Sequence, residues 1–244
     1  MIATTSRPAP ATAPANHPVL RALLSKPYPA VMGVLNVTPD SFSDGGRFIA
    51  PERALAQARR MIAEGADIID IGAESTRPYG AQPIPADEEL KRLQPILADV
   101  VALGIPVSID SMKPAVVAYA LDAGAAIAND VWGLQRDSGM AGLVAERGAP
   151  VIIMHNRDSA DPAADIMQDI VDFFARSLDI AAKAGISPDK IVLDPGIGFG
   201  KTPEQSMTAL ARLGELQSFG LPLLVGASRK RFISTVTQIG RAHV

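Results

Sequence analysis

Seven short apolar runs in this chain each end in a polar residue, and helix-length segments separate most of them. The runs are residues 31–35 before Asn36, 68–69 before Asp70, 107–109 before Asp110, 125–128 before Asn129, 151–154 before His155, 191–193 before Asp194 and 223–227 before Ser228. Stretches such as Val-Ile-Ile-Met and Leu-Leu-Val-Gly have no polar face, as expected of parallel strands covered by helices on both sides. Parallel neighbours need a long crossover, usually a helix, and that is what the intervals offer. Repeated around a closed sheet, the unit makes a (β/α)8 TIM barrel, an α/β fold whose ligand-binding residues stand at the carboxyl ends of the strands.

From Asn36 to Ser228 the six intervals average about 32 residues, a plausible barrel repeat. An eighth strand is therefore expected to end near residue ~260, whereas the sequence has 244 residues. The expectation is a barrel truncated after its seventh β/α unit. Residues 1–16, rich in Ala, Pro and Thr, read as a disordered extension, because alternating prolines sustain neither helix nor sheet ladder. They lack the apolar core of a signal peptide. Residues 17–237 form the expected domain. Residues 238–244 read as a non-native tail, since Gln-Ile-Gly-Arg-Ala-His-Val followed by a stop resembles a translated sequencing-adapter string.

Hydrophobic residues make up 48% of the chain and charged residues 20%, enough apolar material for one large core. A net charge of −3 argues against a nucleic-acid binder, which usually shows a basic stripe. No apolar stretch is long enough to suggest a transmembrane helix, so no membrane partner is expected. The absence of cysteine excludes disulfides and thiolate metal sites and fits a cytoplasmic location.

Within the domain the periodicity predicts helices over 51–65, 86–103, 114–123, 139–146 and 165–184. Strands are predicted over 30–37, 67–72, 106–110, 125–130, 150–155, 191–194 and 221–227. Thr202, Pro203 and Gln205 spell a capping box with proline at the first helical position. The string Gly-Ile-Gly-Phe-Gly-Lys-Thr after Pro195 misses both the P-loop spacing and the dinucleotide fingerprint.

The polar strand ends sit in longer signatures. The first is Asn-Val-Thr-Pro-Asp-Ser-Phe-Ser-Asp-Gly-Gly from Asn36 to Gly46, and the second is Asp-Ile-Gly-Ala-Glu-Ser-Thr-Arg-Pro from Asp70 to Pro78. Ser-Ile-Asp-Ser-Met-Lys from Ser108, Asn129-Asp130, Asp-Pro-Gly-Ile-Gly-Phe-Gly-Lys from Asp194 and Gly-Ala-Ser-Arg-Lys from Gly226 follow in order. Together they resemble the dihydropteroate synthases, which share a pterin-binding barrel, over roughly residues 30–232.

That resemblance implies a transferase of folate biosynthesis. It joins 6-hydroxymethyl-7,8-dihydropterin diphosphate to 4-aminobenzoate, releasing diphosphate by a dissociative, SN1-like substitution. It implies that Asp194 pairs with the guanidine-like edge of the pterin, that Asp110 and Asn129 are its partners on the ring, and that Lys230 contacts pterin and aminobenzoate. Asp110, Asp194 and Lys230 are the residues nearest the chemistry. Thr76, Arg77, Ser228 and Arg229 are expected around diphosphate and aminobenzoate, and Met154 beside the pterin. Asn36 is the implied ligand of a Mg2+ cofactor, with Phe42 and Asp44 on a mobile loop. Sulfonamides are implied inhibitors and a homodimer the implied assembly.

Asp70 is expected to give structural support, and His155 is weighed evenly between structure and function. The strand-five end, Met-His-Asn-Arg-Asp from Met154, departs from a common family form. The Arg-Ala-His near residue 240 resembles the family's strand-eight pair but follows Ser228 too closely to be one. Two readings compete with an active synthase. One is a methyltetrahydrofolate-binding methyltransferase on the same barrel, and the other a truncated fragment that binds pterin with little or no turnover.

Overall fold

The computed structural model describes residues 17–38, 46–74, 83–228, 230 and 233. The expected extension at 1–16 and tail at 238–244 lie outside them. Six parallel strands form one sheet in chain order: β1 (Met32–Asn36), β2 (Ile68–Gly72), β3 (Val107–Asp110), β4 (Ile127–Asp130), β5 (Val151–Met154) and β6 (Ile191–Asp194). Every neighbouring pair is parallel. The connecting helices are α2 (Gly46–Ala63), α3 (Ala86–Leu93), α4 (Leu97–Val101), α5 (Pro114–Asp122), α6 (Ser138–Arg147) and α7 (Ile166–Ala184). A further helix, α8 (Pro203–Ala211), follows β6.

Period-two alternation sorts the strand residues into two populations. Ile69, Ile71, Ile109, Ala128, Ile153 and Leu193 join the large core beneath the helices. Ile68, Ile127, Ile152 and Val192 instead form a second cluster, with Met32 of β1 and Leu224 packed against it. Residues from β1 and β6, at opposite ends of the strand order, meet in that cluster only because the sheet curls into a barrel wall. The inner cluster is closed below by α1 (Pro18–Leu24), whose Leu20 and Leu23 are buried in it. This helix was not expected from the sequence, because a single short turn carries too little periodicity to read.

Three other expectations need correction. The helix expected over 86–103 is two helices, α3 and α4, separated at Pro95, whose ring and missing N–H break the ladder there. The helix expected from residue 51 starts at Gly46, with Pro51 inside it. The strand expected over 221–227 contracts to one parallel bridge, Leu193 to Leu223. Leu193 N–H donates to Pro222 O, and Leu224 N–H to Leu193 O. With no further strand paired outside it among the described residues, nothing extends the ladder. The Thr202 capping box forms as expected, with both reciprocal bonds present.

Candidate active site at the carboxyl ends of the strands

The alternation that sends Ile68, Ile127, Ile152 and Val192 into the barrel also sends in Asp70, Asn129, Met154 and Asp194, two residues later on the same strands. Asp110 projects the same way from β3, where it pairs in register with Asn129. The interior is thus apolar at the bottom and carries three carboxylates at the top. Asp70, Asn129, Met154 and Asp194 are all buried. Met154 lies in register with Asp194.

Taking these carboxylates out of water disfavours their charged forms. Burial pushes Asp194 from the ordinary 3.8 up to about 6, against the pull of the Gly196 N–H, Lys230 and Lys201. Asp110 is driven well upward by burial and by the charges of Asp70, Glu89, Asp130 and Glu74. Burial also raises Asp70, while the bond from Asn129 opposes it. Asn129 Nδ2 donates to both oxygens of Asp70, at 3.3 and 3.2 Å. Asp70 therefore orients Asn129, which agrees with its expected support role and leaves the amide oxygen as an acceptor or ligand contact. Asp110 Oδ1 is buried with no hydrogen-bond partner among the described residues. An unpaired acceptor of that kind is costly unless something with N–H donors arrives.

The loop after β6 brings in the remaining groups. Gly196 N–H donates to Asp194 Oδ1 at 2.7 Å. The Lys230 ammonium sits 3.9 Å from the centroid of the Phe199 ring, and Asp194 and Asp110 both act on its charge. Gly196 and Gly200 hold the loop close to the β5 end. Both have positive φ, and a Cβ on Gly196 would stand 1.9 Å from His155 O, while one on Gly200 would meet Arg157 Cβ at 2.5 Å. Lys201 turns inward instead of outward. Its Nζ donates to Gly196 O at 2.9 Å and Phe199 O at 3.1 Å, and lies 2.7 Å from His155 Nδ1.

A second inward cation braces the β2 end. Lys113 Nζ is paired with Glu74, and with Glu89 Oε2 at 2.7 Å. Glu89, on α3, is fully buried and Glu74 nearly so. Burial pulls the Lys113 ammonium down, but the two carboxylates more than offset it. Arg92 adds a bond from Nη1 to Ala73 O at 3.1 Å. Sequence reasoning gave none of Glu74, Glu89, Lys113 and Lys201 a role. Glu74, Lys113 and Lys201 stand inside the signatures, and only their partners, dozens of residues away, reveal what they do. Asp130, beside Asn129, is not a ligand residue, because its carboxylate accepts the N–H groups of Trp132 and Leu134 at 2.9 and 2.8 Å.

Asn36 ends β1 and is exposed at the mouth, and Ser228 is exposed in a turn. Phe42, Asp44, Thr76, Arg77 and Arg229 lie outside the described residues. No group of three or more His, Cys, Asp or Glu suited to a metal is found among the described residues. A lone amide oxygen at the mouth fits a Mg2+ that keeps waters and substrate phosphates as its other ligands. It does not fit an all-protein cage. No described helix is long and apolar enough to cross a membrane.

Comparisons with known proteins agree with this geometry. Residues 32–243 match the family model described as pterin binding enzyme. The dihydropteroate synthase of Bacillus subtilis is 43% identical over 224 residues, covering 91% of this chain and 78% of that protein. The structure of the Xanthomonas albilineans dihydropteroate synthase with 4-aminobenzoic acid superposes with a TM-score of 0.83 at 42% identity, over 88% of this chain and 78% of that one. A Yersinia pestis dihydropteroate synthase solved with a sulfonamide drug gives 0.78 at 42% identity, over 86% and 78%. A curled parallel sheet with carboxylates at its rim, matched at this identity along most of its length, belongs to the pterin binding enzymes, among the dihydropteroate synthases.

Proposed function

We propose that the chain condenses 6-hydroxymethyl-7,8-dihydropterin diphosphate with 4-aminobenzoate, giving 7,8-dihydropteroate and diphosphate in folate biosynthesis. One observation carries the reading: Asp194, buried at the end of β6, is held by the Gly196 N–H beside the unpaired Asp110 oxygen and the Lys230–Phe199 pair. The pterin's amino-pyrimidine edge presents N–H donors side by side, and a carboxylate offers two acceptors to match them. Asp110 and the free oxygen of Asn129 complete a floor of acceptors for the ring. Met154 supplies an apolar contact beside it.

As diphosphate leaves, the C–O bond breaks and positive charge develops on the exocyclic methylene. The pterin ring delocalises that charge, and the carboxylate layer stabilises it without reorganising. The neutral amine of 4-aminobenzoate then forms the C–N bond and gives its surplus proton to the released diphosphate or to water, so positioning matters more than a strong base. The Phe199 ring and the Lys230 stem form the surface against which aminobenzoate packs. Thr76, Arg77, Ser228 and Arg229 bind its carboxylate or the diphosphate, and Phe42 and Asp44, in the signature that follows Asn36, serve the same site. Asn36 is the protein ligand for Mg2+, which when bound neutralises charge on the leaving group. Sulfonamides, whose amine and acidic group mimic aminobenzoate, inhibit at the same place. The assembly is a homodimer in the cytoplasm, which agrees with the cysteine-free composition.

Diphosphate release from the purified protein, given both substrates and Mg2+, tests this. Release that requires 4-aminobenzoate and disappears in Asp194→Asn supports it. Pterin binding with no aminobenzoate-dependent release, in wild type as in Asp194→Asn, overturns it in favour of a binding fragment.

A further inference from the structure

A chain of three buried or half-buried polar groups runs behind the site, and substrate binding as described above uses none of them. Lys201 Nζ, 2.7 Å from His155 Nδ1, has its other two hydrogens on Gly196 O and Phe199 O. His155 Nε2 lies 2.9 Å from Asp169 Oδ2, on α7. Asp169 offers a carboxylate oxygen, which accepts, so Nε2 of the ring carries the hydrogen and Nδ1 accepts from Lys201, whose own amine burial brings down to about 7. Burial and the charges of Lys201 and Arg157 bring His155 down to about 2. Its contact with Asp169 is therefore a hydrogen bond from a neutral ring, not an ion pair. The ring is fully buried and meets Phe173 edge-on at 4.9 Å between centroids.

What Lys201 holds is the substrate-facing loop. The peptide unit that gives its carbonyl to Lys201 belongs to Gly196, whose own N–H fixes Asp194 Oδ1. The second carbonyl belongs to Phe199, whose ring lies under the Lys230 ammonium. One side chain thus sets both the carboxylate that meets the pterin and the ring that meets aminobenzoate. His155 N–H also donates to Asp194 O at 2.8 Å. Asp169 opens onto a groove of about 490 Å3 shared with Trp132, Arg157 and Arg176, so the chain is anchored at the barrel's outer rim.

We infer that Lys201, His155 and Asp169 are positioning residues, a Lys–His–Asp strut that holds the Gly196–Phe199 turn, and through it Asp194 and Phe199, in the geometry the condensation needs. The inference rests on the function proposed above. With His155 Nδ1, Gly196 O and Phe199 O on three sides, Lys201 Nζ is a fixed post turned away from substrate. His155 is the acceptor for Lys201, a place that only a neutral imidazole, or a side chain of similar polarity, can fill.

The test uses the full chain with Lys201→Met, His155→Leu, His155→Gln and Asp169→Asn. Each is measured for thermal unfolding, for binding of 6-hydroxymethylpterin by fluorescence, and for steady-state diphosphate release. Lys201→Met and His155→Leu are expected to weaken pterin binding and kcat/KM at least ten-fold in protein that still unfolds cooperatively. His155→Gln, which keeps an acceptor and a donor, is expected to recover most of both. Asp169→Asn retains an acceptor oxygen and should stay within about three-fold of wild type. Folded Lys201→Met with pterin binding and kcat/KM within two-fold of wild type overturns the inference. If Lys201→Met does not fold, His155→Leu and His155→Gln decide: equal loss in both, or none in either, overturns it. Wild type that binds pterin without turnover sinks the proposed function alone, because the binding comparison still judges the strut. Wild type that does not bind pterin sinks both.

Discussion

At the scale of single residues the site trades stability for readiness. Asp194 keeps its proton up to about pH 6 when folded, against an ordinary 3.8. The folded state therefore binds more protons than the unfolded one between roughly pH 4 and 6, and its stability falls as pH rises through that window. Above it the full penalty, on the order of 3 kcal/mol, is carried by the empty enzyme. Asp194→Asn removes the charge and keeps an acceptor for the Gly196 N–H. Its melting temperature without ligands at pH 8 should rise by roughly 5–10 °C, while kcat/KM for the pterin falls at least a hundred-fold. A variant no more stable than wild type at pH 8 would show that the buried charge is not strained. In wild type, kcat/KM should climb as pH passes about 6 and the carboxylate becomes available to pair with the pterin.

At the scale of elements, close approach is what fixes the loop after β6. Gly196→Ala puts a methyl 1.9 Å from His155 O at a φ of +63°, so backbone must move against backbone. A loss of about 3 kcal/mol or more is expected, read as a drop in melting temperature of about 6–12 °C with turnover abolished. A melting temperature within 2 °C of wild type would contradict it. The six strands and the Thr202 cap were legible in the sequence because each rests on local pattern: a continuous apolar run, or a hydroxyl three residues before a glutamine. Strand ends were legible for the same reason, and period two then put Asp70, Asp110, Asn129 and Asp194 on one wall. The Lys201–His155 bond joins positions 46 apart, and Lys113 reaches 24 and 39 residues away to Glu89 and Glu74. No spacing rule announces such partners. Pro95 did announce a break in the 86–103 helix, but the strong apolar period around it masked the signal.

At the scale of the whole molecule the barrel wall depends on what closes its bottom and its side. Leu20 of α1 is 3% exposed against the feet of the inner strand residues. Leu20→Ala should cost about 2–4 kcal/mol, a fall of about 5–15 °C in melting temperature. A fall under 2 °C would mean α1 does not plug the barrel. Along the side, β1 pairs only with β2 among the described residues, and Val31 and the inward-pointing Val34 are 54% and 53% exposed. Apolar side chains on an unpaired edge invite self-association. Val31→Lys should reduce concentration-dependent light scattering with little change in melting temperature, and unchanged scattering would place the sticky surface elsewhere. Lys113 has a consequence of another kind. It grips Glu74, just past the end of β2, and Glu89, in α3, with a single ammonium. The end of β2 and the start of α3 are thereby tied to the end of β3, three residues past Asp110, through one side chain.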